Sequence, residues 1–131
     1  MKRLLTLLLC TLVGATSLIA QKTVVEVNGM RQLPRGAEGD LNQAIQTAID
    51  AGTLSNTIFK LRASDVYPVT GTINVPAGET LELEGAPIGN DSLSAPPQIL
   101  WVASSTVSKT FLISVLGDLT MKNIWVRFAD A

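Results

Sequence analysis

The sequence predicts an all-β fold, a parallel β-helix that opens with a capping helix. One amphipathic stretch, residues 40–52, is followed by short β-prone runs that recur almost to the end of the chain. Turn-forming or polar residues separate each run from the next. Short strands of this kind bury their apolar faces by stacking, and the stack needs a cap at its end. A helix followed by repeated short strands therefore indicates the beginning of a solenoid.

Residues 1–20 have the pattern of an export signal. Lys2 and Arg3 precede an apolar segment, and small residues follow it up to Ala20. The apolar segment is shorter than the roughly 20 residues that a membrane-spanning helix needs. We therefore predict a signal peptide over 1–20, cut after Ala20, with a cut after Ala15 as the alternative. The mature protein is then secreted, without membrane insertion, and is extracellular, periplasmic or on the cell surface.

Composition excludes several classes of function. The formal net charge is −1, and loss of Lys2 and Arg3 changes it to about −3, which argues against a nucleic-acid partner. The single cysteine, Cys10, lies in the predicted signal, so the core must stabilise the mature chain without disulfides. The chain has no histidine, and a serine or cysteine triad would lack its usual base. We assign no catalytic residue and find no evident cofactor.

Residues 21–38 are predicted to form a first strand and a loop. A β-prone run over 23–27 is closed by Asn28 and Gly29, a strong turn pair. Pro34 and Gly36 mark the loop that leads to the helix.

The capping helix is predicted to begin at Asp40 and to end at Gly52. Asp40 is the predicted N-cap residue, and Gln43 completes a capping box. Gly52 supplies the left-handed residue that commonly ends a helix. Solvent exposure is predicted for the polar face, with a partner surface as the alternative. Five residues at helical spacing form the apolar stripe that is predicted to seal the stack: Leu41, Ala44, Ile45, Ala48 and Ile49.

After the helix the apolar positions alternate with a period of two, as in half-buried strands. A loop over 86–97, rich in proline, glycine and polar residues, interrupts the strands. Residues 39–131 are therefore predicted to be the capping helix and first coils of the solenoid. The predicted strands are 58–61, 67–69, 72–75, 80–85, 98–102, 110–115, 119–122 and 124–128.

Asn123 is predicted to be a left-handed bend between the last two strands. Leu119 and Met121 set an inward face, and strict alternation would then bury Asn123 and expose Ile124. A left-handed residue at this position turns Ile124 inward again, and asparagine tolerates that conformation better than most residues. An ordinary loop asparagine in a hairpin is the alternative.

Several of these segments together resemble the N-terminal part of the pectin lyase-like superfamily of single-stranded right-handed β-helices. The resemblance covers most of residues 39–128. It implies an elongated stack of triangular coils with three parallel sheets. The segments that carry it are 39–48, 57–61, Tyr67, 71–76, 81–85 and 117–124.

The resemblance also implies a function. It makes the chain the N-terminal scaffold of a secreted protein that acts on or binds polysaccharide, as a lyase or hydrolase of acidic glycans. A non-catalytic surface adhesin or structural glycan-binding protein is the alternative. In the enzymes of this superfamily the catalytic residues and any Ca²⁺ ligands lie on later coils. We therefore expect them beyond Ala131, in a longer protein of which this sequence is a truncated part.

Trp125 and Arg127 are the candidate substrate-binding residues. Both should point outward if Ile124 and Val126 point inward. An indole ring packs on a sugar ring, and a guanidinium group binds a carboxylate with two hydrogen bonds. The alternative is a tryptophan covered by a neighbouring segment of the chain.

Glu82 and Glu84 are the candidate metal ligands. They lie on the same face of a predicted strand, and carboxylate oxygens are the ligands that Ca²⁺ prefers. Since Ca²⁺ takes six or more oxygen ligands, adjacent coils would have to supply the others. A charged outer face of the strand produces the same pattern and is the interpretation that we favour.

Overall fold

The computed structural model describes residues 20–31, 40–89, 94–102 and 111–129. Within them the chain forms nine strands, one α-helix and one 3₁₀ helix, which confirms the predicted all-β class. Residues 1–19 of the predicted signal peptide and most of the predicted loop before the helix lie outside the described residues. The elements are β1 (Thr23–Val27), α1 (Asp40–Asp50), the 3₁₀ helix (Leu54–Asn56), β2 (Thr57–Leu61), β3 (Val66–Val69), β4 (Ile73–Val75), β5 (Thr80–Gly85), β6 (Gln98–Val102), β7 (Ile113–Val115), β8 (Asp118–Lys122) and β9 (Trp125–Ala129).

All strand pairs of the described residues are parallel, and they form three sheets. The first sheet has the order β1-β2-β5-β8, the second β3-β6-β9, and the third β4-β7. From β2 onward the chain visits the three sheets in turn, so every third strand returns to the same sheet. We call β2 to β4 the first coil, β5 to β7 the second coil, and β8 with β9 the third coil.

Equivalent apolar residues of successive coils stack in register along the core. Phe59 pairs with Leu83, and Leu83 with Met121. In the second sheet Tyr67 pairs with Ile99. The side chains of Phe59, Leu83, Tyr67 and Ile99 are buried, and burial of one large apolar side chain contributes about 1.5–3 kcal/mol. The alternation of apolar and polar residues along each strand therefore identifies the residues that point into the core.

Helix α1 seals the end of the core that precedes the first coil. Leu41 and Ile45 are buried, and Ile49 is partly buried against the core, which confirms the predicted apolar stripe. The helix begins at Asp40, whose side chain lies outside the described part of the structure, so the predicted N-cap stays a prediction. Gly52 has φ +65° and ends the helix as predicted. No helix in the described ranges is both long enough and apolar enough to cross a bilayer.

Asn123 adopts the predicted left-handed conformation, with φ +53°. The bend separates β8 from β9 and leaves Ile124 partly buried against the core. Ser64, between β2 and β3, has φ +59°, so the first coil turns through a similar bend at the corresponding corner.

Tyr67 and Asp65 connect β1 to the first coil. The hydroxyl of the buried Tyr67 donates to the carbonyl oxygen of Val27, 2.9 Å away, and accepts from the backbone N–H of Arg62 at 2.8 Å. Burial raises the pKa of the Tyr67 hydroxyl above its ordinary value. The carboxylate of the buried Asp65 accepts hydrogen bonds from the backbone N–H groups of Val66 and Arg31. These bonds satisfy backbone groups at the bend where β-ladder partners are missing.

Three inward-facing residues of the third coil are exposed. Val126 is 42% exposed and Phe128 64%, although their register partners on β6 point into the core. Leu119 is 36% exposed, whereas its partner Leu81 is fully buried. The exposure arises because, among the described residues, no strand follows β8 or β9 in its sheet.

Candidate functional site

Trp125 and Arg127 lie together on the outer face of the second sheet, as the sequence predicts. In the parallel register Trp125 is opposite Gln98, while its neighbour Val126 is opposite the buried Ile99. Since successive side chains of a strand point to opposite faces, Trp125 and Arg127 point outward. Trp125 is 50% exposed, and Arg127 is exposed as well. The bend at Asn123 determines this orientation because it sets which residues of β9 point inward.

The guanidinium group of Arg127 is bonded to Gln98, the neighbour of Trp125 on β6. Its Nη1 atom donates to Oε1 of Gln98 at 3.1 Å, and Gln98 is the register partner of Trp125. This bond uses one of the five N–H donors of the guanidinium group. No carboxylate of the described residues lies within ion-pair distance of Arg127. The site therefore joins a half-exposed aromatic ring to a cation whose charge is not neutralised within this region.

Trp101 has a different environment from Trp125. It is on the inward side of β6 and packs against Phe128 in a T-shaped contact, with ring centroids 5.1 Å apart and planes at 64°. Its Nε1 atom is buried and has no acceptor among the described residues. Trp101 is thus a core aromatic residue, whereas Trp125 belongs to the surface.

Glu82 lies on the outer face of the first sheet between two lysines. Its carboxylate accepts from Nζ of Lys22 at 2.7 Å and from Nζ of Lys122 at 3.4 Å. The side chain of Glu82 is only 13% exposed. The hydrogen bond from Lys22, supported by Lys122, lowers the pKa of the Glu82 carboxyl despite its burial. Two ammonium groups therefore neutralise a carboxylate that a metal ion would need.

Glu84 belongs to a row of alternating charges on the same outer face. The register places Glu26 beside Lys60, Lys60 beside Glu84, and Glu84 beside Lys122. Opposite charges on adjacent strands attract, so the row favours this register. The pattern matches the charged outer face that the sequence favours over a metal site.

No third acidic ligand joins Glu82 and Glu84. Glu79, the other nearby glutamate, accepts hydrogen bonds from the hydroxyl and the backbone N–H of Ser55 instead. In the described residues, no group of three or more acidic, histidine or cysteine side chains is arranged to hold a metal ion. A calcium site at Glu82 and Glu84 stays a prediction, and it would require displacement of Lys22 and Lys122.

Sequence reasoning did not find Lys22 as the partner of Glu82. The two residues are 60 positions apart, and β1 is separated from β2 by the whole of α1. The β-prone run over 23–27 indicates a first strand, but it does not indicate that this strand pairs with β2, and only that pairing brings Lys22 close to β5. The polar face of α1 also differs from prediction at Asn42, which is partly buried.

Comparison with protein-family models, with curated proteins and with solved structures finds no match to this chain. Membership of the pectin lyase-like superfamily thus depends on the residues quoted from the sequence and is a proposal.

Proposed function

We propose that this chain is the helix-capped N-terminal part of a right-handed parallel β-helix. Three observations support the proposal: the sheets are parallel, the chain visits them in turn, and α1 covers one end of the core. Connections between parallel strands of one sheet are right-handed in about 98% of cases, which favours a right-handed coil.

Secretion is part of the proposal. The N-terminal sequence of the exported protein tests it, with Gln21 expected as the first residue. Retention of residues 1–20 in exported protein, or recovery of the protein only from the cytoplasm, would exclude the proposed signal.

The proposed activity is the binding of an acidic polysaccharide on the outer face of the second sheet. The observation that carries it is the exposed pair of Trp125 and Arg127 on one face of β9. The indole ring provides an apolar surface for the C–H groups of a sugar ring, and the guanidinium group binds a uronate carboxylate. This arrangement suits a lyase or hydrolase of acidic glycans whose first coils contribute to binding.

A binding assay with matched variants tests this activity. We expect the secreted chain to bind polygalacturonate or alginate more tightly than dextran, an uncharged polysaccharide. Trp125→Ala and Arg127→Gln should each lower the affinity about tenfold, as is usual for central aromatic and arginine contacts. Lys60→Gln is the control, since it removes an exposed cation from the first sheet. Equal binding by wild type and both β9 variants would exclude this site.

Turnover distinguishes the enzyme from a non-catalytic glycan-binding protein. A lyase releases unsaturated uronate products from the bound polysaccharide, and a hydrolase releases reducing ends. We expect one of these products in incubations of the full-length secreted protein. Binding without either product, with and without Ca²⁺, would favour the adhesin or structural glycan-binding alternative.

A further inference from the structure

A cleft of about 450 Å³ lies between α1 and β4, on the side of the cap away from the first sheet. Its walls are the polar residues Asn42, Gln43 and Gln46 of the helix, together with Thr72 and Asn74 of the β4 segment. The aliphatic side chains of Ile45, Ile49 and Ile73 line it as well. The volume falls within the range of about 300–1,000 Å³ that is usual for small-molecule sites.

The lining of the cleft is uncharged. All of its lining residues carry amide, hydroxyl or aliphatic side chains. Nε2 of Gln46 donates a hydrogen bond of 2.8 Å to the carboxylate of Asp50, which is not among the lining residues. Nδ2 of Asn74 donates to the carbonyl oxygen of Thr72 at 3.4 Å. Within the described residues, each of these bonds uses one of the two N–H groups of the amide, and the amide oxygens of Gln46 and Asn74 have no donor. The cleft therefore offers acceptors, together with the remaining N–H donors, to a neutral ligand that carries hydroxyl groups.

The side chain of Asn42 supplies an independent observation. Its Oδ1 atom is buried and has no hydrogen-bond donor among the described residues. A β-carbon on Gly71 would stand 3.3 Å from Nδ2 of Asn42, so the chain passes close to this amide. A buried carbonyl oxygen without a donor destabilises the free protein, and a hydrogen bond from a bound hydroxyl group would remove that penalty.

The open edge of β4 adds backbone groups to the same cleft. Ile73 and Val75 form the hydrogen bonds to the β7 segment, through Leu112 and Leu116. In a parallel pair the intervening residue directs its backbone N–H and C=O to the opposite edge. For Asn74 that edge faces α1, where the described residues place no further strand.

We propose that the α1–β4 cleft binds a segment of a neutral oligosaccharide. Hydroxyl groups of the sugar bond to Asn42, Gln46 and Asn74, and a C–H face lies on Ile49, which is only partly buried. An extended peptide is a poorer fit, because β4 has only three residues and presents the backbone groups of one. The site lies on a different sheet from Trp125 and Arg127, and its ligand is uncharged, so this inference does not depend on the proposed function.

Titration of the isotopically labelled secreted chain with cello-, manno- and xylo-oligosaccharides tests the inference. We expect at least one of them to shift the side-chain amide resonances of Asn42 and Asn74 in NMR spectra. Asn74→Ala and Gln46→Ala should each weaken this binding about fivefold or more without lowering the unfolding temperature. Thr47→Ala is the control, since Thr47 lies on the same helix outside this cleft.

Three results would overturn the inference. One is the absence of binding by every neutral oligosaccharide at millimolar concentration. Another is binding that Asn74→Ala and Gln46→Ala leave unchanged. The third is a preference of the cleft for an extended peptide or for an acidic oligogalacturonate. Trp125→Ala separates the two proposals, because it should lower the affinity for the acidic polymer about tenfold and leave binding in the cleft unaffected.

Discussion

The backbone carbonyl group of Asn123 lies against the α-carbon of Gly85, one coil earlier. A β-carbon at Gly85 would overlap this carbonyl oxygen and would stand 2.8 Å from Cγ of Pro97. Neither neighbour is the end of a flexible side chain. The corner of the third coil can therefore stack on the corner of the second only because residue 85 is glycine.

Gly85→Ala should destabilise the chain by about 2–3 kcal/mol, because the added methyl group forces two backbone segments apart. Gly52→Ala is the matched control. Gly52 has φ +65° and open space around its α-carbon, so alanine there should cost only about 1 kcal/mol from the left-handed conformation. Urea unfolding measures both values. Equal effects of the two substitutions would show that the contact with Asn123 does not constrain the fold.

Asn123→Ala should lower the free energy of unfolding by about 1 kcal/mol, since alanine is strained at φ +53°. Asn123→Gly should be nearly neutral, because glycine adopts this conformation without strain. The same unfolding assay checks both variants. If glycine destabilised as much as alanine, the asparagine side chain rather than the backbone conformation would be the important feature.

The bend at Asn123 was predictable because two local signals agree. The apolar alternation of β8 and β9 is out of phase by one residue, and asparagine at the junction corrects the phase. The pairing of β1 with β2 gave no such local signal, since α1 and residues 32–39 separate the two strands. The ion pair between Lys22 and Glu82 depends on that pairing and was missed with it.

The cleft beside α1 could not be predicted for a related reason. Helical periodicity identifies the apolar stripe that includes Leu41 and Ile45, but it treats Asn42 as part of the solvated face. Asn42 is partly buried because the chain at Gly71 passes beside it, and this approach depends on where β4 begins. Patterns within one element do not report contacts between elements distant in sequence.

Tyr67 should resist ionisation in the native protein. Burial raises the pKa of its hydroxyl above the ordinary value of 10.0. Because the hydroxyl ionises more easily in the unfolded chain, the neutral Tyr67 stabilises the native state. This stabilisation is complete below pH 10 and is lost as the pH rises through the raised native pKa. Tyr67 is the only tyrosine, so phenolate absorbance reports this group alone. We expect phenolate to appear together with loss of circular dichroism.

The control for Tyr67 is the same titration in concentrated denaturant, where the midpoint should be close to 10. Ionisation at pH 10 with unchanged circular dichroism would contradict the buried position. Tyr67→Phe should lower the free energy of unfolding by about 1–3 kcal/mol, since it leaves the N–H of Arg62 without its acceptor.

Glu82 should make the chain less stable in acid. Its pKa is lowered in the native state by Lys22 and Lys122, so the stabilisation is present above pH 4.5 and is lost as the pH falls through the native pKa. The two lysines are 38% and 55% exposed, which limits the effect to about 0.5–1 kcal/mol. Glu82→Gln should cost this amount at pH 7 and almost nothing below the native pKa.

Glu84→Gln is the control for Glu82, since it removes a carboxylate from the same strand face without breaking the ion pairs with Lys22 and Lys122. Salt should reduce the effect of Glu82→Gln, because screening weakens ion pairs with exposed partners. Equal pH dependence of the wild type and Glu82→Gln would show that the two lysines do not stabilise the fold.

The exposed end of the third coil should make this 131-residue chain associate with itself. Leu116, which lies between β7 and the third coil, is 77% exposed, and Val126 of β9 is 42% exposed. Among the described residues β8 and β9 are the last strands of their sheets. An apolar surface next to unpaired strand edges favours contact with other chains. Leu116→Lys combined with Val126→Lys should therefore convert associated chains to monomers in analytical ultracentrifugation.

Val24→Lys is the control, because Val24 is 50% exposed on β1, at the other edge of the first sheet. A wild-type chain that stays monomeric at high concentration, or association that survives the double substitution, would mean that this end does not mediate contact.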